Sequence, residues 1–183
     1  MIVERVRKFV EMECKKPSSK YGYEPYKYHF VSVHKYAKEL CKRLGGDMEV
    51  VEIAAWMHDI GSIMVGRKEH HITGCRIAEK KLREFGLEEE KIKKVKDCIF
   101  SHRGSQKIDR ESIEEEIIAD ADAMSNFDNL PGIFKAAYIY EKKEQGAARQ
   151  SVKQKLINCW NKLSLEAKKI IKPKYESAII LLE

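Results

Sequence analysis

The sequence predicts an all-α protein, a single-domain bundle of about eight or nine helices. Apolar residues recur at three- and four-residue spacings along most of the chain, while the alternation expected of strands is scarce. Gly, Pro and capping residues punctuate those periodic runs at helix-length intervals. The length of 183 residues suits one domain. A chain of that size buries roughly 70% of its unfolded surface, so it folds without disulfides or metal.

The first helix is expected over about residues 2–15, before the irregular KPSSKYGYEPY segment with Pro17, Gly22 and Pro25. The second runs from near Tyr28 to Leu44 and closes at Gly45-Gly46. Asp47 is a good N-cap for the third, and Gly61 a good residue just past its end. The fourth covers about 70–85 and stops at Gly86; the fifth covers about 88–101. Ser112 with Glu115 forms a capping box for the sixth. Pro131 opens another helix, Ser151 with Gln154 suggests a further start, and Pro173 kinks or restarts the last. The motif-bearing core is expected over about 25–130, with the helices of about 131–183 packing on it.

Composition excludes several classes. The chain is 43% apolar and 35% charged, which rules out disorder and collagen-like structure. No apolar run approaches the ~18 residues of a membrane span. The start, MIVERVRKFVEMECKK, is charged throughout and does not read as a secretory signal. The cysteines are Cys14, Cys41, Cys75, Cys98 and Cys159, an odd set without a CxxC pair, so free thiols in a reducing cytoplasm are expected. The net charge of +6 is interspersed, which favours phosphate-bearing partners over a nucleic-acid tail.

The segment VVEIAAWMHDIG carries the chemistry. Val50, Val51, Ile53, Ala54, Ala55, Met57 and Ile60 leave it almost no polar face, so this helix is buried. His58 and Asp59 nevertheless sit side by side in its last turn. A buried carboxylate without a partner costs several kcal/mol. Either a metal ion held by both residues or an Arg or Lys from elsewhere must compensate.

Further histidines fall near inward faces. His29 and His34 border opposite edges of the Val33/Ala37/Leu40/Leu44 stripe, and periodicity does not choose between them. His70 and His71 both precede the core face of the fourth helix, with His70 one turn before Gly74. Val95, Ile99 and His102 follow one face of the fifth. In IIADADAMSNFD, Asp120 shares a face with Ile117 and Met124, and Asp122 with Ile118 and Ser125. His and carboxylate donors between facing helices suit Mn, Fe, Co, Ni or Zn.

With these residues the sequence resembles the HD-domain superfamily of metal-dependent phosphohydrolases, through the HDIG-type motif Met57-His58-Asp59-Ile60-Gly61. His29 with Val33 and Ala37 matches the family's upstream His, and Ala121-Asp122-Ala123-Met124 its downstream Asp. The resemblance spans about residues 25–130. It implies an HD-type bundle and the metal ligands His29, His58, Asp59 and Asp122. His70 before Gly74, and His102 in IFSHR, resemble the extra histidines of two-metal members, with Asp59 as the bridging carboxylate. Ser62 replaces the Lys that often follows the motif, and the signature of cyclic-di-GMP phosphodiesterases is missing.

The resemblance implies one or two divalent ions (Mn, Fe, Co, Ni, Zn or Mg) and hydrolysis of a phosphomonoester or phosphodiester of a small molecule or nucleotide. Asp59 is the expected catalytic residue, and Arg103, beside His102, the expected phosphate contact. A metal-binding HD module that senses or scaffolds without turnover, a diiron oxygenase on the same ligands, and a nuclease are the alternatives. Arg67 and Lys68 read as a solvated loop, and YEKKEQGAARQSVKQK as a charged, solvated stretch. The tyrosines at 21, 23, 26 and 28 are expected to pack over the site entrance, and base stacking by them is the alternative. Trp160 and the terminal AIILLE are expected to pack on the bundle or at a homodimer interface.

Overall fold

A computed structural model describes residues 1–103 and 109–183. The described residues form helices and no strand. Helix α1 is Ile2–Lys15, and its buried residues Val6, Phe9, Val10, Glu13 and Cys14 follow the three-and-four spacing of one helix face. The chain then crosses the Pro/Gly segment to a π-helical turn, Tyr26–Phe30, which leads into α2, Val31–Leu44. Sequence places the second helix from near Tyr28, but its first turn is wound more widely. Such turns are frequent at functional sites, and His29 lies within this one. Gly45, at φ 86°, lets the chain leave α2 while its N–H still bonds Cys41 O at 2.9 Å.

Helix α3, Met48–Met57, starts where expected: Asp47 Oδ1 accepts from the N–H groups of Glu49 and Val50 at 3.0 and 3.3 Å. Its end differs from the expectation at Gly61. The helix stops at Met57, His58 and Asp59 form a break, and a short α4, Ile60–Met64, resumes with Gly61 buried inside it. The glycine serves close approach instead of a helix end. A Cβ there would lie 2.2 Å from His70 O and 2.7 Å from Gly74 N.

Helix α5, His70–Phe85, ends at Gly86 (φ 80°), and α6 is Glu89–Ser101. Helix α7, Ile113–Ser125, is capped by Ser112 Oγ, which accepts from Glu115 N at 3.3 Å and donates to Glu115 Oε1 at 3.0 Å. Glu114 of α7 also accepts from Asp47 N at 2.8 Å, tying the starts of α7 and α3 together. Helix α8, Leu130–Lys135, carries Pro131 in its first turn and runs into a second π-helical turn, Ala136–Tyr140. Helix α9, Gln145–Lys162, passes through Ser151, so the start expected there does not occur; Ala148, Val152 and Leu156 anchor it as one helix. Helix α10, Leu165–Leu181, continues through Pro173, which lies on its exposed face.

Helix α2 packs on α3 and α7, α5 packs on α4 and α6, and α3 on α1 and α6. One apolar core extends from Val6 in α1 to Leu182 after α10. Leu40, Ile53, Leu82 and Ile99 are fully buried within it, each contributing about 1.5–3 kcal/mol. Tyr26 is stacked between Tyr23 and Trp56, with ring centroids 5.4 and 5.7 Å apart, while Tyr28 stays exposed. Trp160 stacks on Tyr175 at 4.3 Å and joins α9 to α10. No helix among the described residues is long and apolar enough to cross a membrane.

Candidate metal centre

The resemblance-derived metal ligands arrive from four helix ends or breaks and from the body of α7. His29 comes from the first π-helical turn, His58 and Asp59 from the α3–α4 break, His70 from the start of α5, His102 from just past α6, and Asp122 from α7. The fold brings these six side chains to one place.

Asp59 is at the middle. Its Oδ2 faces His29 Nε2 at 3.5 Å and His58 Nε2 at 3.8 Å. Its Oδ1 faces His70 Nε2 at 3.4 Å and His102 Nε2 at 3.8 Å. Two three-residue groups therefore share this carboxylate: His29, His58 and Asp59, and Asp59, His70 and His102. Asp122 Oδ1 adds to the first, 3.5 Å from His29 Nε2 and 3.9 Å from His58 Nε2.

The outer nitrogens set the tautomers. His58 Nδ1 bonds Ala55 O at 2.9 Å, His70 Nδ1 bonds Arg67 O at 2.9 Å, and His102 Nδ1 bonds Ile99 O. A carbonyl only accepts, so each of these Nδ1 atoms carries the proton. His29 Nδ1 lies 3.0 Å from Ser125 Oγ, whose own hydrogen goes to Asp122 O at 2.7 Å; His29 Nδ1 is therefore a donor as well. All four Nε2 lone pairs point inward. Those of His29 and His58 stand 2.9 Å apart, two acceptors facing each other. Lone pairs and carboxylates converging in this way call for cations, and the donor set fits a divalent transition metal.

Burial and charge agree. His58 is fully buried, His70 and His102 nearly so, while Asp59 and Asp122 keep about a quarter of their side chains open. Burial, reinforced by the neighbouring His29 and His102 rings, lowers the His58 pKa to about 4 despite Asp59 and Asp122. Burial alone would raise Asp59, but the imidazoles of His102, His29 and His58 around it hold it well below the usual carboxylate range. Burial pushes His29 and His102 down, but Asp59 and Asp122 outweigh it and raise both; neutral His58 and ionised Asp59 are the forms that bind metal.

The alternatives that periodicity left open separate in space. His34 stacks on Trp56 at 4.6 Å with its Nε2 3.5 Å from Glu52 Oε1. His71 packs on Phe100, and Arg103 Nη1 stands 3.4 Å from its Nδ1. Asp120 accepts from Ser164 N at 3.1 Å, at the junction of α9 and α10. Two supporting residues went unread in the sequence. Ser125 steadies His29, and its i+3 spacing from Asp122 was the available signal. Ser62, the departure from the motif, donates to Asp59 Oδ1 at 3.0 Å and orients that carboxylate.

A helical frame that gathers His and Asp donors able to hold a metal is the arrangement of an HD-type domain. A family model described as "HD domain" matches residues 26–126, and the chain belongs to that family. No curated protein matches the sequence. Among solved structures, the Lin1889 protein of Listeria innocua aligns at TM-score 0.75 and 21% identity, over 99% of this chain and 91% of that one. An HD-superfamily hydrolase of Bacillus thuringiensis aligns at TM-score 0.75 and 21% identity, over 99% and 93%. YpgQ of Bacillus subtilis, solved in complex with ADP, aligns at TM-score 0.68 and 18% identity, over 98% and 92%. At these identities the likeness is one of fold.

Proposed function

We propose that the protein is a metal-dependent phosphohydrolase, cleaving a phosphomonoester or phosphodiester of a small molecule or nucleotide. The observation that carries this reading is the sharing of Asp59 between two donor groups, with Oδ2 toward His29 and His58 and Oδ1 toward His70 and His102. His29, His58, Asp59 and Asp122 would hold one ion, and Asp59, His70 and His102 a second. Such ions make water nucleophilic at neutral pH and offset charge that builds on phosphoryl oxygens. The HD-superfamily neighbour from Bacillus thuringiensis supports hydrolysis, and ADP in the YpgQ structure supports a nucleotide. Free thiols among the described residues support the cytoplasm as its place.

The chain's own part is preorganisation. Carbonyls 55, 67 and 99 and Ser125 lock the imidazoles before substrate arrives, so no reorganisation is needed at the moment of reaction. Asp59 stays ionised, fixed by Ser62, and orients the attacking water from the open side of the site. Arg103, next to His102, is assigned to a phosphate oxygen through its planar fork.

Elemental analysis of protein purified without chelator, beside Asp59→Ala, tests this. About two transition-metal ions per chain are expected, with both ions and phosphoester hydrolysis lost in the variant. An Asp59→Ala protein that hydrolyses at the wild-type rate overturns the assignment.

A further inference from the structure

Beside the metal centre lies an open cleft of about 710 Å³. Its walls come from α9, the second π-helical turn and the segment before α5. Four cations line it (Arg67, Lys143, Lys155 and Lys162) against one carboxylate, Glu141. Lys143 is already engaged, 2.5 Å from Glu141 and donating to Ser151 Oγ at 2.6 Å. Arg67 and Lys155 form no close ion pair with a described carboxylate, and Glu141 meets their charge only at longer range.

The cleft adjoins the donor cluster on two sides. Arg67 is fixed to it through its own carbonyl, which accepts from His70 Nδ1 at 2.9 Å. Lys155 is near enough to His29 for its charge to oppose protonation of that ring, and Cys159, in the same wall, feels Asp122. Helix α9 lies outside residues 26–126, so this cationic wall stands beyond the segment that the HD-domain family model matches.

We propose that the cleft binds a chain of two or more phosphates, with Arg67 and Lys155 holding the phosphates beyond the one at the metal ligands. The substrate class then narrows to oligophosphates, and this narrowing rests on the phosphohydrolase reading. A volume of this size admits a small ligand, which separates the cleft from a nucleic-acid track. Arg67 presents a bidentate fork and Lys155 a mobile point charge, the usual pair for adjacent phosphates.

Calorimetric titration of the full chain with AMP, ADP and inorganic tripolyphosphate tests the site without requiring turnover. Wild-type protein is expected to bind ADP at least about tenfold more tightly than AMP, one charge-assisted contact being worth that much. The double variant Arg67→Ala/Lys155→Ala is expected to lose that preference while its AMP affinity and metal content stay unchanged. Tripolyphosphate bound as tightly as ADP names the phosphate chain itself as ligand; weaker binding names a nucleotide as its carrier. Equal affinity for AMP and ADP, no binding of either, or ADP binding untouched in the double variant overturns the proposal. Binding as expected without hydrolysis refutes the phosphohydrolase reading alone.

Discussion

Replacing Gly61 by alanine sets two physical effects against each other. Gly61 is inside α4, and Gly→Ala in a helix ordinarily stabilises by about 0.5–1 kcal/mol. Here the new Cβ would stand 2.2 Å from His70 O, 2.6 Å from Thr73 Oγ1 and 2.7 Å from Gly74 N. Two of those atoms are backbone, so the clash cannot be relieved by a rotamer change. The α4–α5 contact must open by about 1 Å to reach ordinary van der Waals distance. Overpacking of this kind costs about 1–3 kcal/mol, which outweighs the propensity gain. Taking the middle of each range, the expected net loss is about 1 kcal/mol, or a fall in Tm of roughly 2–4 °C for a chain of this length. Urea denaturation at constant m-value measures it. The same opening moves His70 from Asp59, so metal stoichiometry should fall toward one ion while the His29–His58–Asp122 side keeps its ligand. A Gly61→Ala protein as stable as wild type, or more stable, would refute the reasoning.

Other substitutions probe the support around the centre and the core. Ser125→Ala removes the partner of His29 Nδ1, and metal affinity should drop about 10- to 100-fold with little change in Tm of the metal-free protein; unchanged affinity in a chelator competition would count against that role. Leu82 is fully buried in α5, so Leu82→Ala should cost about 2–5 kcal/mol in chemical denaturation, and a loss under 1 kcal/mol would show that the site collapses around the gap. Asp128 joins α10 to α2: burial would raise its pKa, but hydrogen bonds from Lys174, Ser32 and Tyr36 hold it below the usual value. Its contribution is therefore complete above the unfolded aspartate pKa of about 3.9 and is lost as pH falls through the lower folded value. Asp128→Asn should cost about 1 kcal/mol near pH 7, discounted because Lys174 is half-exposed. The gap to wild type should close in strong acid; a gap constant across the whole acid range would deny the linkage.

Much of the frame was legible because local rules decide it. The apolar spacing of α1 and α2, the Asp47 and Ser112 caps and the Gly86 stop are all satisfied within a few residues of chain. Two expectations failed, and a third held only in part, where the deciding partner is distant. Gly61 looked like a helix end, yet it is excluded from carrying a side chain by the backbone of α5. Ser151 looked like a start, but Ala148 and Val152 bury α9 on both sides of it. The stretch around Lys155 read as solvated surface, and it does stay exposed, but it also forms one wall of the cleft.

The residues of the donor set follow the same division. A buried His-Asp pair at the end of an apolar helix already required a compensating cation, because the cost of an unpaired carboxylate is a property of the residue and its burial. Periodicity could not rank His29 against His34, which border one stripe from two sides, or Asp120 against Asp122, which lie on two different apolar faces of α7. Tertiary structure ranks them by what each meets: Trp56 and Glu52 for His34, Ser164 N for Asp120, and one another for His29 and Asp122. Helix formation and capping depend on neighbours in sequence and can be read there. Convergence of six donors from five separate places in the chain depends on how helices pack, and only the folded protein decides it.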